Sequence, residues 1–319
     1  MAQAIGGYFS LELPIHEEFH KNAIKLNTGR NCLEYILHCR KYSKVFIPYY
    51  TCSVVLEPFQ KLGIQYEFYH IDLNFEIADE ISLRANEALL YTNYFALKQK
   101  YVKKLAEKYG RSLIVDNTQA FFAEPICGID TFYTCRKFFG VPDGAYLYTD
   151  KIIDTELAND SSWERMDSLT KRIDIGAEAG YSDFRRISES LAGQPILKMS
   201  ALTERLMQSI DYKQVIERRR DNFMLLHNGL EGKNRFHIDI DVDSVPMVYP
   251  FLSSNGSLKE KLIAAKVYVA TYWPNVMEWC KLEDREYQLA ESTVYLPIDQ
   301  RYGEREMTKI LNVVYESGV

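Results

Sequence analysis

Apolar and polar positions change rhythm along the first half of this chain. Residues 44–48, 88–92 and 112–116 are short apolar runs with little polar alternation. Such runs suit strands buried on both faces of a parallel sheet. Residues 65–70 are aromatic and also strand-like. Between these runs the period lengthens. Residues 51–62 read as a helix closed by Gly63, and 98–109 as a charged amphipathic helix stopped by Gly110. Strands alternating with helices predict an α/β layer with right-handed crossovers.

The character changes after Asp150. Residues 151–180 are polar and carry no clear period. Residues 183–230 are helical almost throughout, too long for one uncapped rod. A break is expected near Gly193-Gln194-Pro195 or Ile210-Asp211. Strands follow at 246–252, 268–273 and 293–298, with helices at 258–265 and 305–315. The expected organisation is a large α/β unit with a mixed, mostly parallel sheet over residues 1–195. Linker helices and a smaller C-terminal α+β domain take up 196–319. No internal repeat or low-complexity linker interrupts them.

Composition narrows the function classes. With 319 residues and 47% hydrophobic positions, the chain can bury a sizeable core. Its formal charge of −6 argues against nucleic-acid and membrane-surface partners, which call for clustered Lys and Arg. The run Arg218-Arg219-Arg220 reads as a solvated helix face. No apolar stretch is long enough to span a bilayer. Residues 1–14 lack the basic start and long apolar run of a secretion signal, so a cytoplasmic protein is expected. The six cysteines form no CxxC pair and have no His or carboxylate at ligand spacing, so no metal is expected.

Three segments could carry chemistry. In the first, a short apolar stretch ends in Asn27-Thr28-Gly29 and a helix begins. Its free N–H groups and positive dipole end suit a phosphate, with donors from Thr28 and Asn31. In the second, Asp116 ends a buried strand, where open parallel sheets bind ligands. In the third, Lys137 sits among aromatic residues directly after Arg136, before Gly140, Pro142 and Gly144 turn the chain. Burial and a neighbouring cation both favour the neutral, nucleophilic amine. Singly, these fit an ordinary capped helix, a loop aspartate and a surface lysine. Their order makes the chemical reading the stronger one.

In that order the segments resemble the fold-type-I pyridoxal-phosphate enzymes, specifically the DegT-type nucleotide-sugar aminotransferases. Thr28-Gly29-Arg30-Asn31 falls at the family's phosphate-binding helix start, and Ile47-Pro48-Tyr49-Tyr50-Thr51 at its Pro-aromatic-Thr segment. Asp116-Asn117-Thr118-Gln119-Ala120 matches its Asp-x-x-Gln-Ala, and Lys137 with Gly140 and Gly144 its lysine and glycine turn. Val294-Tyr295-Leu296-Pro297-Ile298 resembles its last strand. The family's Asn-Tyr-Arg-Met segment is replaced by Ile196-Leu197-Lys198-Met199, and the interval from Asp116 to Lys137 is shorter than usual.

The resemblance implies pyridoxal 5′-phosphate as cofactor. Lys137 would hold it covalently and then move a proton, while Asp116 would keep the ring nitrogen protonated. Gln119 would donate toward the phenolic oxygen, Thr134 toward the phosphate, and Tyr49 or Tyr50 could stack on the ring. The implied reaction is amino transfer from an amino acid, glutamate by resemblance, to a keto-sugar, nucleotide-linked. Another reaction on an amino acid, such as decarboxylation or elimination, fits the three segments equally. A non-catalytic relative fits them less well, because Lys137, Asp116 and Gln119 are all present. Arg30, Arg136, Arg185 and Arg186 are candidates for a donor carboxylate. The family arrangement also implies a homodimer with sites at the subunit boundary. The 23 Tyr and 16 Phe supply more aromatic surface than one such core needs. Gly6-Gly7-Tyr8-Phe9 and Gly193-Gln194-Pro195 are candidate crossing segments.

Overall fold

The apolar runs become the middle of a seven-stranded sheet in the computed structural model, which describes residues 5–253 and 255–318. In chain order the strands are β1 (Ile24–Leu26), β2 (Lys44–Pro48), β3 (Gln65–Tyr69), β4 (Glu87–Thr92), β5 (Leu113–Asp116), β6 (Asp130–Thr134) and β7 (Ala145–Tyr148). They lie in the order β1-β7-β6-β5-β4-β2-β3. The pairings from β3 through β6 are parallel, and β7 runs antiparallel to β6 and β1. The sheet is therefore mixed and mostly parallel, as the sequence predicts.

Both faces are covered, which is why the strands show no polar alternation. Val45, Ile47, Leu90, Ile114 and Phe132 share one core with Leu33, Ile36 and Leu37 of α1 (Gly29–Arg40) and Phe59 of α2 (Leu56–Leu62). Phe46, Leu89, Tyr91, Val115 and Tyr133 face the other core, with Val102 and Leu105 of α3 (Gln99–Tyr109). Each fully buried aliphatic side chain contributes about 1.5–3 kcal/mol. Asp116 and Thr134 end β5 and β6 in phase with Ile114 and Phe132. They therefore stand on the α1 face of the sheet.

Helix α2 is shorter than the sequence pattern predicts. Pro58 is tolerated only in a first turn, so the regular helix begins at Leu56, after a tighter turn over Ser53–Val55. The long helical stretch breaks at both expected places. Helix α4 (Asp167–Asp174) precedes it, α5 (Tyr181–Ser190) stops before Gly193, and α6 (Ala201–Met207) is separated from α7 (Tyr212–Leu230) at Ile210-Asp211. Asp211 caps α7 by accepting from the Gln214 amide. Between α5 and α6 the chain runs beside β1: Leu197 O accepts from Asn27 N at 3.0 Å, and Met199 N donates to Lys25 O at 3.2 Å.

Beyond α7, β8 (Val248–Leu252) and β9 (Thr293–Pro297) form an antiparallel pair. They pack with α7, α8 (Leu258–Ala264) and α11 (Glu304–Glu316) around Phe223, Leu226, Phe251, Leu262, Leu296 and Ile310. The strand expected at 268–273 is not one. It contributes a single bridge, Ala270 to Tyr295. Its aromatic side chains turn inward instead, Trp273 against Tyr50 and Tyr272 against Tyr295. Two short helices not legible in the sequence, α9 (Val276–Trp279) and α10 (Arg285–Ser292), complete this part.

Candidate active site

A cavity of about 410 Å³ opens where β5 and β6 end and α1 begins. Sheet ends of this kind are where open α/β folds bind ligands. Asp116, Thr118, Thr134, Arg136 and Lys137 line it from the sheet side, and Thr28, Gly29 and Arg30 from α1. Thr51 and Cys52 after β2, Phe184 and Ser188 on α5, and Trp273 form the remaining walls.

Lys137 Nζ donates to Thr118 Oγ1 at 2.9 Å, and Thr118 N donates to Asp116 Oδ1 at 2.8 Å. Thr118 thus ties the lysine and the aspartate to one turn. Lys137 has surface open to the cavity, yet protein encloses the amine. Burial pushes its pKa below the ordinary lysine range, against the pull of Asp116. Asp116 is 4% exposed. Burial holds its carboxyl above the usual range, although Lys137 and Thr118 pull it down. Burial thus works against both charges, the ammonium of Lys137 and the carboxylate of Asp116. A neutral amine is the nucleophile, and a buried acid of this kind suits a cationic ring nitrogen.

The loop that carries the lysine is fixed from behind. Phe138 O accepts from Gln300 Nε2 at 2.7 Å, and the fully buried Arg219 of α7 places its guanidinium over the Phe138 ring at 4.6 Å. At the other end Gly144 adopts φ +105°, and an added Cβ would meet Thr203 Cγ2 at 2.8 Å.

The start of α1 is built for close approach. Thr28 Oγ1 accepts from Asn31 N at 3.2 Å, and no acidic residue occupies the first turn. A Cβ on Gly29 would lie 3.3 Å from Thr118 Cγ2 and 3.9 Å from Thr134 Cβ. Asn31 itself is fully buried and bonds to Glu34 and to Gln194 O, so it braces the helix start without lining the cavity. Arg30 reaches the cavity but is held by Glu57 at 2.5 Å.

Other sequence candidates lie elsewhere. Neither Tyr49 nor Tyr50 lines the cavity. Tyr49 stacks on Phe68 at 4.6 Å and on His70 at 4.7 Å. Tyr50 is fully buried, its hydroxyl paired with that of Tyr295. The chain turns at the end of β2, so the next two residues, Thr51 and Cys52, face the space instead. Gln119 is also fully buried; its Oε1 accepts from Phe95 N at 3.2 Å while Nε2 has no partner. Arg185 and Arg186 point outward from α5 into exposed pairs with Glu189, Asp167 and Asp183. Of the four arginine candidates, Arg136 alone lines the cavity without a carboxylate partner among the described residues.

Sequence reasoning missed Ser188, Phe184, Cys52 and Trp273 as wall residues. The aromatic pair Tyr272-Trp273 before Pro274 was a usable signal; α5 offered none beyond its charged face. Among the described residues no group of three or more His, Cys, Asp or Glu is placed to hold a metal ion, and no helix is long and apolar enough to cross a membrane.

The donor set fits pyridoxal phosphate. An amine and a buried acid held on one turn, and an open helix start without first-turn acids, lie on one cavity; the amide nitrogen of the buried Gln119, next in sequence to Thr118, lacks a partner. Unpaired buried donors are rare in folded proteins, and a ligand is one standard reason for them.

No family model and no curated protein matches the sequence. Solved structures do match. A DegT/DnrJ/EryC1/StrS aminotransferase from Brucella abortus is similar at a TM-score of 0.61 and 15% identity, over 93% of this chain and 86% of that one. A sugar aminotransferase from Micromonospora echinospora is similar at 0.58 and 13%, over 92% and 87%. The GDP-4-keto-6-deoxy-D-mannose-3-dehydratase of E. coli, solved with bound hydrated PLP, is similar at 0.61 and 14%, again over 92% and 87%. The fold of this chain is that of the DegT-type, fold-type-I aminotransferases, across nearly its whole length.

Proposed function

We propose that this chain is a pyridoxal-phosphate-dependent aminotransferase that moves an amino group from an amino acid, with glutamate as donor, to a nucleotide-linked keto-sugar. The observation that carries this is the placement of the Lys137 amine and the Asp116 carboxyl on one turn, through Thr118, beside an open helix start. That placement occurs within a fold shared with sugar aminotransferases.

When bound, the cofactor supplies an aldehyde that joins amines and a ring that withdraws electrons. The chain's residues do the rest. Lys137 Nζ would hold the cofactor covalently and, when free, would carry a proton to and from the reacting carbon. Asp116 would hold a proton on the ring nitrogen. The amides at Gly29 and Arg30, with Thr134, would hold the phosphate. Gln119 Nε2, which lacks a partner, would donate toward the phenolic oxygen. Thr118 Oγ1 keeps the amine directed into the cavity between turnovers.

The reading extends to a homodimer. Trp163, Ile173, Ile175 and Tyr181 are 61–84% exposed around α4 and α5, next to the Phe184 wall of the cavity. Tyr8 and Phe9 are almost fully exposed as well. Gly193-Gln194-Pro195, in contrast, bonds within its own chain to Glu57, Asn31 and Asn27.

The dehydratase likeness supports a second reading, elimination on the keto-sugar rather than on an amino acid. Incubating the loaded protein with glutamate and a panel of nucleotide-linked keto-sugars separates the two. Amino transfer forms one 2-oxoglutarate per amino-sugar. Sugar consumption without amino-sugar would favour elimination.

A further inference from the structure

Arg136 precedes the lysine but turns to a different wall. Its Nη2 donates to Ser188 Oγ at 3.1 Å, and its guanidinium lies 5.4 Å from the Phe184 ring centroid. Among the described residues no carboxylate lies within ion-pair distance of it. The nearby acids are committed: Glu57 to Arg30 at 2.5 Å, and Asp143 to Arg165 and Thr203. A half-buried guanidinium with one hydroxyl contact leaves most of its donors unused.

From these contacts we infer that Arg136, not Arg30, is the counter-cation for a phosphate monoester held at the start of α1. Arg30 sits in the first turn of that helix, but Glu57 neutralises it. Thr134, two residues before Arg136, also lines the cavity, and its hydroxyl makes only a long 3.5 Å contact to Gly144 O. Gly29 is packed against Thr134 and Thr118, so the helix amides, the Thr134 hydroxyl and the Arg136 side chain border the same space. Burial depresses the Arg136 pKa; Asp143 opposes this, and Arg30 and Arg165 add repulsion. A dianion in the cavity that Arg136 and Arg30 both line would offset the repulsion between those two. Ser188 and the Phe184 face act as positioning groups that hold the fork over the cavity.

This rests on the cofactor reading, and two ligands separate them: pyridoxal phosphate, and pyridoxal, which lacks the phosphate. Equilibrium titration of the apo-protein compares wild type with Arg136→Met and Arg136→Lys, each first checked for an unchanged circular-dichroism spectrum. A charged hydrogen bond of this type is lost at about tenfold to a hundredfold in affinity. Arg136→Met should lose that factor for pyridoxal phosphate and nothing for pyridoxal, with Arg136→Lys in between. Phosphorus NMR gives a second readout. Phosphate monoesters titrate near about pH 6; the bound group should stay dianionic below that in wild type and titrate in Arg136→Met. Unchanged affinity and titration in Arg136→Met would overturn the inference; a higher KM for glutamate in that case would place a substrate carboxylate on Arg136. A wild-type protein that binds neither ligand would instead bring down the cofactor reading, and this inference with it.

Discussion

The Lys137 amine lies 2.9 Å from the Thr118 hydroxyl oxygen, and the Thr118 amide lies 2.8 Å from the Asp116 carboxylate. A hydroxyl oxygen that accepts from the amine favours its charged form, against a burial that favours the neutral one. The sign follows. Lys137 should become neutral, and capture an aldehyde, at a lower pH than the 10.5 of an unperturbed lysine. Thr118→Val should move the midpoint lower still. Stopped-flow measurement of pyridoxal-phosphate capture against pH checks both; a wild-type midpoint at or above 10.5 would contradict the account.

Asp116→Asn should retain cofactor and lose turnover. Asparagine keeps the shape but cannot hold the proton on a cationic nitrogen. The expected loss is about a thousandfold in kcat, equivalent to ~4 kcal/mol of transition-state stabilisation. Steady-state kinetics on the fully loaded variant measures it. A loss under tenfold would remove Asp116 from the mechanism.

Gly144→Ala should destabilise the fold by about 2 kcal/mol or more. The new Cβ would combine φ +105° with contacts at 2.8 Å to Thr203 and 3.0 Å to Cys135 Sγ. Urea unfolding of the apo-protein reads this directly, and an unchanged midpoint would show that the loop after the lysine relaxes freely.

The homodimer reading predicts a specific disruption. Ile173 and Ile175 are 84% and 72% exposed in the single chain. Ile173→Asp with Ile175→Asp should convert a dimer to a monomer in sedimentation velocity, because an obligate interface above ~2,000 Å² is mainly apolar. A wild-type monomer with full cofactor occupancy would rule out shared sites.

How far the sequence could be read depended on what each segment buries. The middle strands were legible because both their faces are covered: residues 44–48 were expected as a strand and are β2 without change. Helix α3 begins at Gln99, one residue after the expected start, and ends at Tyr109 as expected. Lys137 and Asp116 were legible as a pair only through their order along the chain, and the fold brings them to one cavity. Tyr49 and Tyr50 were misplaced because aromatic identity says nothing about direction; a turn after Pro48 sends both rings into packing and exposes Thr51 and Cys52 to the cavity. Helix α4 stayed hidden because its 8 residues span barely two turns, too few to show a period, and none of its side chains is buried. Ser188 and Trp273 reach the site from distant segments, and no local pattern reports a long-range contact.

The most direct test is chemical trapping on the purified chain. Pyridoxal phosphate is added, the visible absorbance recorded, the adduct fixed with borohydride, and the product mapped by peptide mass spectrometry. The account predicts a borohydride-sensitive band and a phosphopyridoxyl group on Lys137, both absent in Lys137→Ala. Labelling of a different lysine, or a band that survives in Lys137→Ala, would contradict it.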